Sequence, residues 1–250
     1  VPIDRLRTGC LVFDVRQEEG SGGKSVLVSF ENPQGEIECV RARAVVMACP
    51  KFVVKRVLDG IEPDREKAIT KLRYNSYLVA NVLLKKKISR RFYDLFMLGQ
   101  GQTNMKDIRS SANSRKVTDV VLADYASPDS EMSALSLYRA FPYAGARGEL
   151  YAPNSYDRFR PEFEKQIADE ILPALGMNAT DVADLRLTRW GHPLPVAAQG
   201  LIADGTIAKI RKPWRERVFF VEQDNWMLPA FETALGEALR WAPEVKKVLV

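Results

Sequence analysis

The chain is 250 residues long, with 46% apolar and 28% charged residues; this is ordinary globular composition, which excludes wholesale disorder and is enough to bury a core. Thirty-seven Lys and Arg against 32 Asp and Glu leave a net charge of +5, but the basic clusters carry no nucleic-acid signature and read as solvated surface. Three cysteines without CxxC spacing and a single histidine exclude a disulfide framework and a structural zinc site.

No apolar run approaches the ~20 residues of a membrane helix; the longest, such as Ala44-Val45-Val46-Met47-Ala48-Cys49, are far shorter. No N-terminal stretch has the layout of a signal peptide, which points to a cytoplasmic protein. The sequence starts at Val1 rather than at methionine and reads as a processed or truncated piece of something longer.

Residues 11–48 read as β structure. Leu11-Val12-Phe13-Asp14-Val15 is rich in strand formers, a turn cluster fills 18–23, and residues 25–30 alternate with period two. Asn32-Pro33-Gln34-Gly35 makes the next turn, before a third strand at 36–40. Residues 43–49 form a continuous apolar run, the pattern of a strand buried on both faces. Pro50 stands where a helix begins, with Val53, Val54, Val57 and Leu58 on one apolar face. A second helix is predicted over 62–72, N-capped near Asp64, and a long strand over 77–84. The polar stretch 99–115 reads as a long loop, and 117–124 and 132–141 as two more strands. The clearest helix is 156–175, where Phe159, Phe163, Ile167, Ile171, Leu172 and Leu175 recur at helical spacing and Gly176 follows as a C-cap. A strand at 182–190 leads into a corner at Trp190-Gly191-His192-Pro193. Residues 218–221 read as a short buried strand, and 229–241 as a helix with Ala230, Ala234 and Ala238 on one stripe. Strands and helices in irregular order predict an α+β or mixed-sheet fold.

Several motifs invite chemistry. Gly20-Ser21-Gly22-Gly23-Lys24-Ser25 suggests a phosphate loop, but Glu18 occupies the place of its first glycine and a strand follows where a helix N-terminus is needed. A glycine-rich hairpin turn is the better reading. Gly99-Gln100-Gly101 lacks the third glycine of a dinucleotide fingerprint and the strand–turn–helix around it. His192 is either a lone general base or a histidine packed at a loop corner, and the second reading is favoured. Asn178-Ala179-Thr180 fits a glycosylation acceptor but has no secretory context. The last fifty residues form a strand–loop–helix unit, and the free amides and dipole at such a helix start suit a pyrophosphate or a flavin carbonyl.

Four segments in order resemble the flavin-containing amine oxidase superfamily, which also holds protoporphyrinogen oxidases and carotenoid desaturases. They are the meander 11–40 with its return Ala42-Arg43-Ala44-Val45-Val46-Met47-Ala48-Cys49-Pro50, the strand 77–84, Arg189-Trp190, and residues 218–242, which are similar to the family's closing flavin motif and match it at Asp224, Pro229, Glu232 and Ala234. The chain departs from the pattern in three places. The family's N-terminal Gly-x-Gly-x-x-Gly unit is absent, Asn81 stands on the strand where many amine oxidases carry a lysine, and Glu222-Gln223 and Thr233 replace glycines.

The resemblance therefore implies a C-terminal portion of an FAD-dependent oxidoreductase, with flavin-linked dehydrogenation in general rather than amine oxidation in particular. FAD is expected in the full-length protein and weakly or not at all in this portion. The implied partners are a small-molecule substrate and the upstream segment of the same polypeptide, with no nucleic acid and no membrane span. Residues 1–60 would form part of an FAD/NAD(P)-binding-like domain, 61–190 the mixed-sheet substrate-binding domain, and 191–250 the return to the first. By the same resemblance the backbone of Val12 meets the adenine, Ala48 and Pro50 line the cofactor cleft, and Trp190 faces the isoalloxazine. Asp224 and Asn225 approach the ribityl–pyrophosphate region, and Ala230 and Phe231 put amides near the flavin O2. No catalytic side chain and no metal ligand is assigned, since hydride chemistry belongs to the cofactor. The alternatives are a non-catalytic α+β binding module, or a desaturase or isomerase on the same flavin scaffold.

Overall fold

The computed structural model describes residues 5–18, 25–97, 117–142 and 145–249. The glycine-rich turn at 20–23 and the polar stretch at 99–115 lie outside the described residues. By its contacts the chain divides into two units, Val1–Arg73 with Pro195–Val250, and Tyr74–Leu194.

In the first unit, β1 (Leu11–Glu18), β2 (Ser25–Glu31) and β3 (Ile37–Ala42) form an antiparallel meander. The Asn32 turn closes its second hairpin because the Asn32 Oδ1 accepts from the amides of Gln34 (3.0 Å) and Glu36 (2.9 Å), while Gly35 takes a φ of +81°. Between Val12 and Asp14 the register slips, leaving Phe13 as the extra residue of a bulge. The return strand β4 (Val45–Met47) pairs in parallel with β10 (Val218–Phe220). A helix starts directly after each of them or shortly beyond: α1 (Lys51–Val57) after β4, and α6 (Phe231–Leu249) after a 3₁₀ turn at Gln223–Asn225. Two further helices, α2 (Pro63–Thr70) and α5 (Thr206–Arg211), pack on each other. The core of this unit joins Val15 and Val26 of the meander to Met47, Val54, Leu58, Trp214, Val218 and Phe220.

The structure corrects three expectations here. β4 is not buried on both faces, because Val46 is 47% exposed. α2 is capped by Glu62 with Pro63 in the first turn, not near Asp64. It also belongs to the first unit, so the division falls after Arg73 and not after residue 60, and again after Leu194 and not after 190.

The second unit is built on a five-stranded sheet ordered β6 (Asp94–Phe96), β7 (Asp119–Leu122), β8 (Ala134–Phe141), β5 (Tyr74–Leu84), β9 (Val182–Pro195). The β6–β7, β7–β8 and β8–β5 pairs are antiparallel, whereas β4 and β10 in the other unit pair in parallel. Helices α3 (Ala146–Leu150) and α4 (Ser155–Gln166) belong to the same unit. α4 and the turns that continue it supply the apolar stripe expected there: Phe159 and Phe163 of α4 and Ile167, Ile171 and Leu172 beyond it all join Leu78, Leu135 and Leu137 in the core. The helix does not run uniformly to residue 175. Pro173 has no N–H to return to the carbonyl of Asp169, and the turn before it widens into a π segment, Ile167–Ile171. β9 continues unbroken through Gly191-His192-Pro193, where a corner was expected. The Gly191 carbonyl is held by the Ser76 hydroxyl at 2.9 Å and by Arg147 at 3.2 Å, and a Cβ at that residue would lie 2.6 Å from the Tyr151 ring. The glycine permits a close approach; it does not turn the chain.

Candidate functional site

Because β4 and β10 run in parallel, their carboxyl ends lie side by side. The two helices that follow therefore start from the same edge of this small sheet. In open α/β arrangements that edge is where ligands collect.

A buried polar cluster occupies it. Lys51, the first residue of α1, is fully buried. Its Nζ donates to the Glu222 carboxylate and, at 2.8 Å, to Asn225 Oδ1, and its backbone N–H donates to Asp224 Oδ2 at 2.8 Å. Glu222 Oε2 accepts in turn from the Asp224 amide at 2.6 Å. Asn225 Nδ2 donates to the Phe220 carbonyl and to Glu237 Oε2, both at 2.8 Å. Glu237 of α6 is itself fully buried, receives Trp241 Nε1 at 3.0 Å and lies 3.4 Å from Arg211 and 3.3 Å from Arg240. The aromatic floor is Phe220, with Lys51 Nζ 5.2 Å and the Arg65 guanidinium 5.1 Å from its ring centroid.

Burial dominates the electrostatics. It pushes the Glu222 carboxyl from 4.5 up to about 7 despite the opposing pull of Lys51, and Asp224 adds to the rise. Burial likewise raises the Cys49 thiol, with Glu222 adding to it, so this half-buried cysteine is not an activated nucleophile. Between pH 4.5 and about 7 the folded unit thus keeps a proton that the unfolded chain has released. Its unfolding free energy should fall as pH rises through that window, by up to about 3 kcal/mol. Melting curves across the window check this. The decline should separate the wild type from Glu222→Gln, and identical pH profiles for the two proteins would contradict it.

α6 is inside-out. Thr233, Glu237 and Trp241, at i, i+4 and i+8, turn toward the unit's interior, whereas Phe231, Leu235 and Leu239 are 78%, 46% and 69% exposed. Trp226 and Leu228 extend this open apolar surface in the preceding loop, at 46% and 56%.

Seven of the eight residues assigned from sequence lie in the first unit, and Trp190 lies in the second. Val12 sits beside the β1 bulge and is exposed, Ala48 is exposed, and Pro50 and Ala230 are half-buried. A flat ring can approach the main chain at Ala48, Ala230 and the exposed start of α6. Asp224 and Asn225 are different. Both are fully buried, and their side chains hold Lys51, Phe220 and Glu237. Sequence reasoning missed Lys51 and Glu237. The available signals were a lysine in the first turn of a helix, where the dipole disfavours it, and a polar i, i+4, i+8 stripe in an otherwise apolar helix.

In the second unit the sheet face opposite the core carries an aromatic row. Tyr77 lies 5.8 Å from Tyr138 and 6.4 Å from Trp190, ring centroid to ring centroid, and Trp190 is 48% exposed. Asn81 Oδ1 accepts the Ser136 hydroxyl at 2.9 Å on the same face. Burial raises the Tyr77 and Tyr138 hydroxyls above their ordinary range, with Asp119 and Asp94 adding to the rise at Tyr138. His192 makes an edge contact with Tyr74 at 6.0 Å. Among the described residues no group of three or more His, Cys, Asp or Glu could hold a metal, and no helix is long and apolar enough to cross a membrane.

The fold is similar to that of solved putrescine oxidase structures. Solved structures of putrescine oxidase variants, made in a redesign of cofactor binding, superpose on 95% of this chain with TM-scores of 0.58 and 0.60 at 16% sequence identity, and the chain spans 48% of their length. In sequence it is 23% identical over 216 residues to the oxidoreductase PigB of Serratia, covering 86% of this chain and 31% of that protein. It is also 33% identical over 107 residues to glucose-6-phosphate isomerase of Xanthomonas campestris, covering 43% of this chain and 19% of the isomerase. No family model matches. The chain thus spans about half the length, or less, of the proteins it resembles.

Proposed function

We propose that this chain is the substrate-domain portion, with the closing part of the cofactor domain, of an FAD-dependent oxidoreductase that takes a hydride from a C–N or C–C bond of a small or apolar substrate. The observation that carries this reading is the parallel β4–β10 pair whose carboxyl edge opens on the start of α6, with small or exposed residues at Ala48, Ala230 and Phe231. When bound, the flavin supplies the hydride acceptor. The first-turn amides of α6 and its positive dipole end favour negative charge developing at the N1–O2 edge of the ring. The open face with Tyr77, Tyr138, Trp190 and Asn81 presents aromatic surface and one hydrogen-bonding amide to the substrate. The open edge at Val46 and the exposed row Phe231, Leu235 and Leu239 are covered by the upstream segment of the same polypeptide, which brings the nucleotide-gripping unit. The partial overlap with glucose-6-phosphate isomerase reaches less than half of this chain, whereas the structural likeness runs through nearly all of it.

The test is to express the chain joined to the polypeptide encoded upstream and to reconstitute it with FAD. The joined protein should hold flavin with absorption near ~450 nm, while the chain alone should hold little or none. A correctly folded joined protein that takes up no flavin would overturn the reading.

A further inference from the structure

Asn81 places an exposed amide among aliphatic side chains on the open face of the second unit's sheet. It stands on β5 directly opposite Ser136 of β8, which in turn stands opposite Val121 of β7. The neighbours of Asn81 on the same side of β5 are Val79 and Leu83, and Ala134 lies opposite Leu83. The amide has a fixed sense. The Ser136 hydroxyl donates to Asn81 Oδ1 at 2.9 Å, and among the described residues nothing accepts from Nδ2. The acceptor end is therefore engaged and the donor end is presented. The charges nearby are negative: β7 places Asp119 opposite Tyr138, and β6 places Asp94 opposite Val121. Arg186, on the side of β9 that Trp190 occupies, is paired with Asp184 at 2.8 Å.

We propose that Asn81 is a specificity-determining residue of this face, its Nδ2 donating to an uncharged carbonyl oxygen of an otherwise apolar substrate, and that Ser136 is the residue that positions it. A single neutral donor set in apolar surface orients a ligand through one acceptor atom. A ligand without an acceptor leaves that donor unmet. A carboxylate brings an acceptor, but it would also bring a second negative charge to a face that already carries Asp94 and Asp119. Ser136 matters because an amide turned end for end would present an acceptor instead, and the hydroxyl holds it in the donating sense. The inference rests on the reading of this face as substrate surface, and adds which atom the substrate brings to it.

The experiment titrates the ¹⁵N-labelled chain with cyclohexanone and, separately, with cyclohexanecarboxylate, following the Asn81 side-chain amide and the Trp190 indole by NMR. Loss of the signals in Asn81→Leu and Trp190→Phe identifies them. In the wild type cyclohexanone should shift both signals saturably, and the carboxylate should bind more weakly. In Asn81→Leu, read through Trp190, the Kd for cyclohexanone should rise about threefold to tenfold, the worth of one hydrogen bond. Ser136→Ala should raise it by a smaller factor and Ser136→Thr, which keeps the hydroxyl, should restore it. Unchanged dispersion of the remaining amide signals shows that each variant is folded. Three results would overturn the proposal: a wild type in which cyclohexanone moves neither signal, an Asn81→Leu variant that binds it as tightly as the wild type, or a carboxylate that binds as well as the ketone. The titration needs no flavin, so it fails separately from the flavin reading: a joined protein without flavin uptake leaves these Kd values standing, and flavin uptake does not rescue a flat titration.

Discussion

Lys51→Met should lower the unfolding free energy of the first unit by about 3–5 kcal/mol near neutral pH, the loss expected when one partner of a buried ion pair is removed. Methionine fills much of the space of the lysine stem, so the cost comes from charge and hydrogen bonding. Glu222 is left with the Asp224 amide alone, and Asn225 Oδ1 loses its donor. Lys51→Met/Glu222→Gln carries no buried charge at this pair and should recover most of the loss. The penalty should also shrink as pH falls toward about 7, because without the downward pull of Lys51 the variant's Glu222 already takes up its proton above that value. Urea unfolding followed by tryptophan fluorescence, to which buried Trp214 of this unit contributes, measures both effects. A single variant as stable as the wild type at neutral pH would show that the cluster contributes nothing to folding.

The second large effect is expected at Phe159 of α4. This ring is 1% exposed and meets Phe141 edge-on at 5.4 Å. The guanidiniums of Arg139 and Arg158 lie 5.4 Å and 5.0 Å from its centroid. Phe159→Ala should cost about 3–5 kcal/mol through lost burial and the cavity left behind. Arg139, itself buried at 7% exposure, keeps Phe141 and its ion pair with Glu162 but loses one of its two aromatic neighbours. Phe159→Leu retains most of the volume and should lose clearly less. Denaturation of the two variants side by side decides it, and equal losses would mean that the ring's volume is not what stabilises this core.

What the sequence revealed followed from how periodic each element is. The meander was legible because its strands alternate and its turns carry Asn32, Pro33 and Gly35. The stripe Phe159, Phe163, Ile167 and Ile171 announced a core helix because apolar residues recurring every four positions line one face of a helix, whereas a strand would need them at every second position. The three-residue strand at Asp94–Phe96 is too short to show any period. The corner expected at Gly191 rested on glycine and proline as turn formers, whereas this glycine makes room for Tyr151. At the candidate site, the strand–loop–helix unit was legible but its contents were not. Asp224 and Asn225 were read as ligand contacts because polar residues in such a loop usually face outward. Lys51, 171 positions before Glu222 in the chain, turns them inward, and pairings at that separation leave no local pattern. α6 reverses the ordinary rule that the apolar side of a helix faces the core, and only burial reveals it.

One backbone hydrogen bond has a bearing on how such proteins diversify. The Val196 amide donates to the Arg73 carbonyl at 2.9 Å, so the chain leaves the first unit and re-enters it at a single stitch. β5 and β9, which carry it away and back, are neighbours in their sheet. A different sheet could be grafted between these two residues, or the existing one excised and the stitch bridged by a tight turn, without reopening the Lys51 cluster. The second unit can in that way be exchanged as a cassette while the edge formed by β4 and β10 is kept.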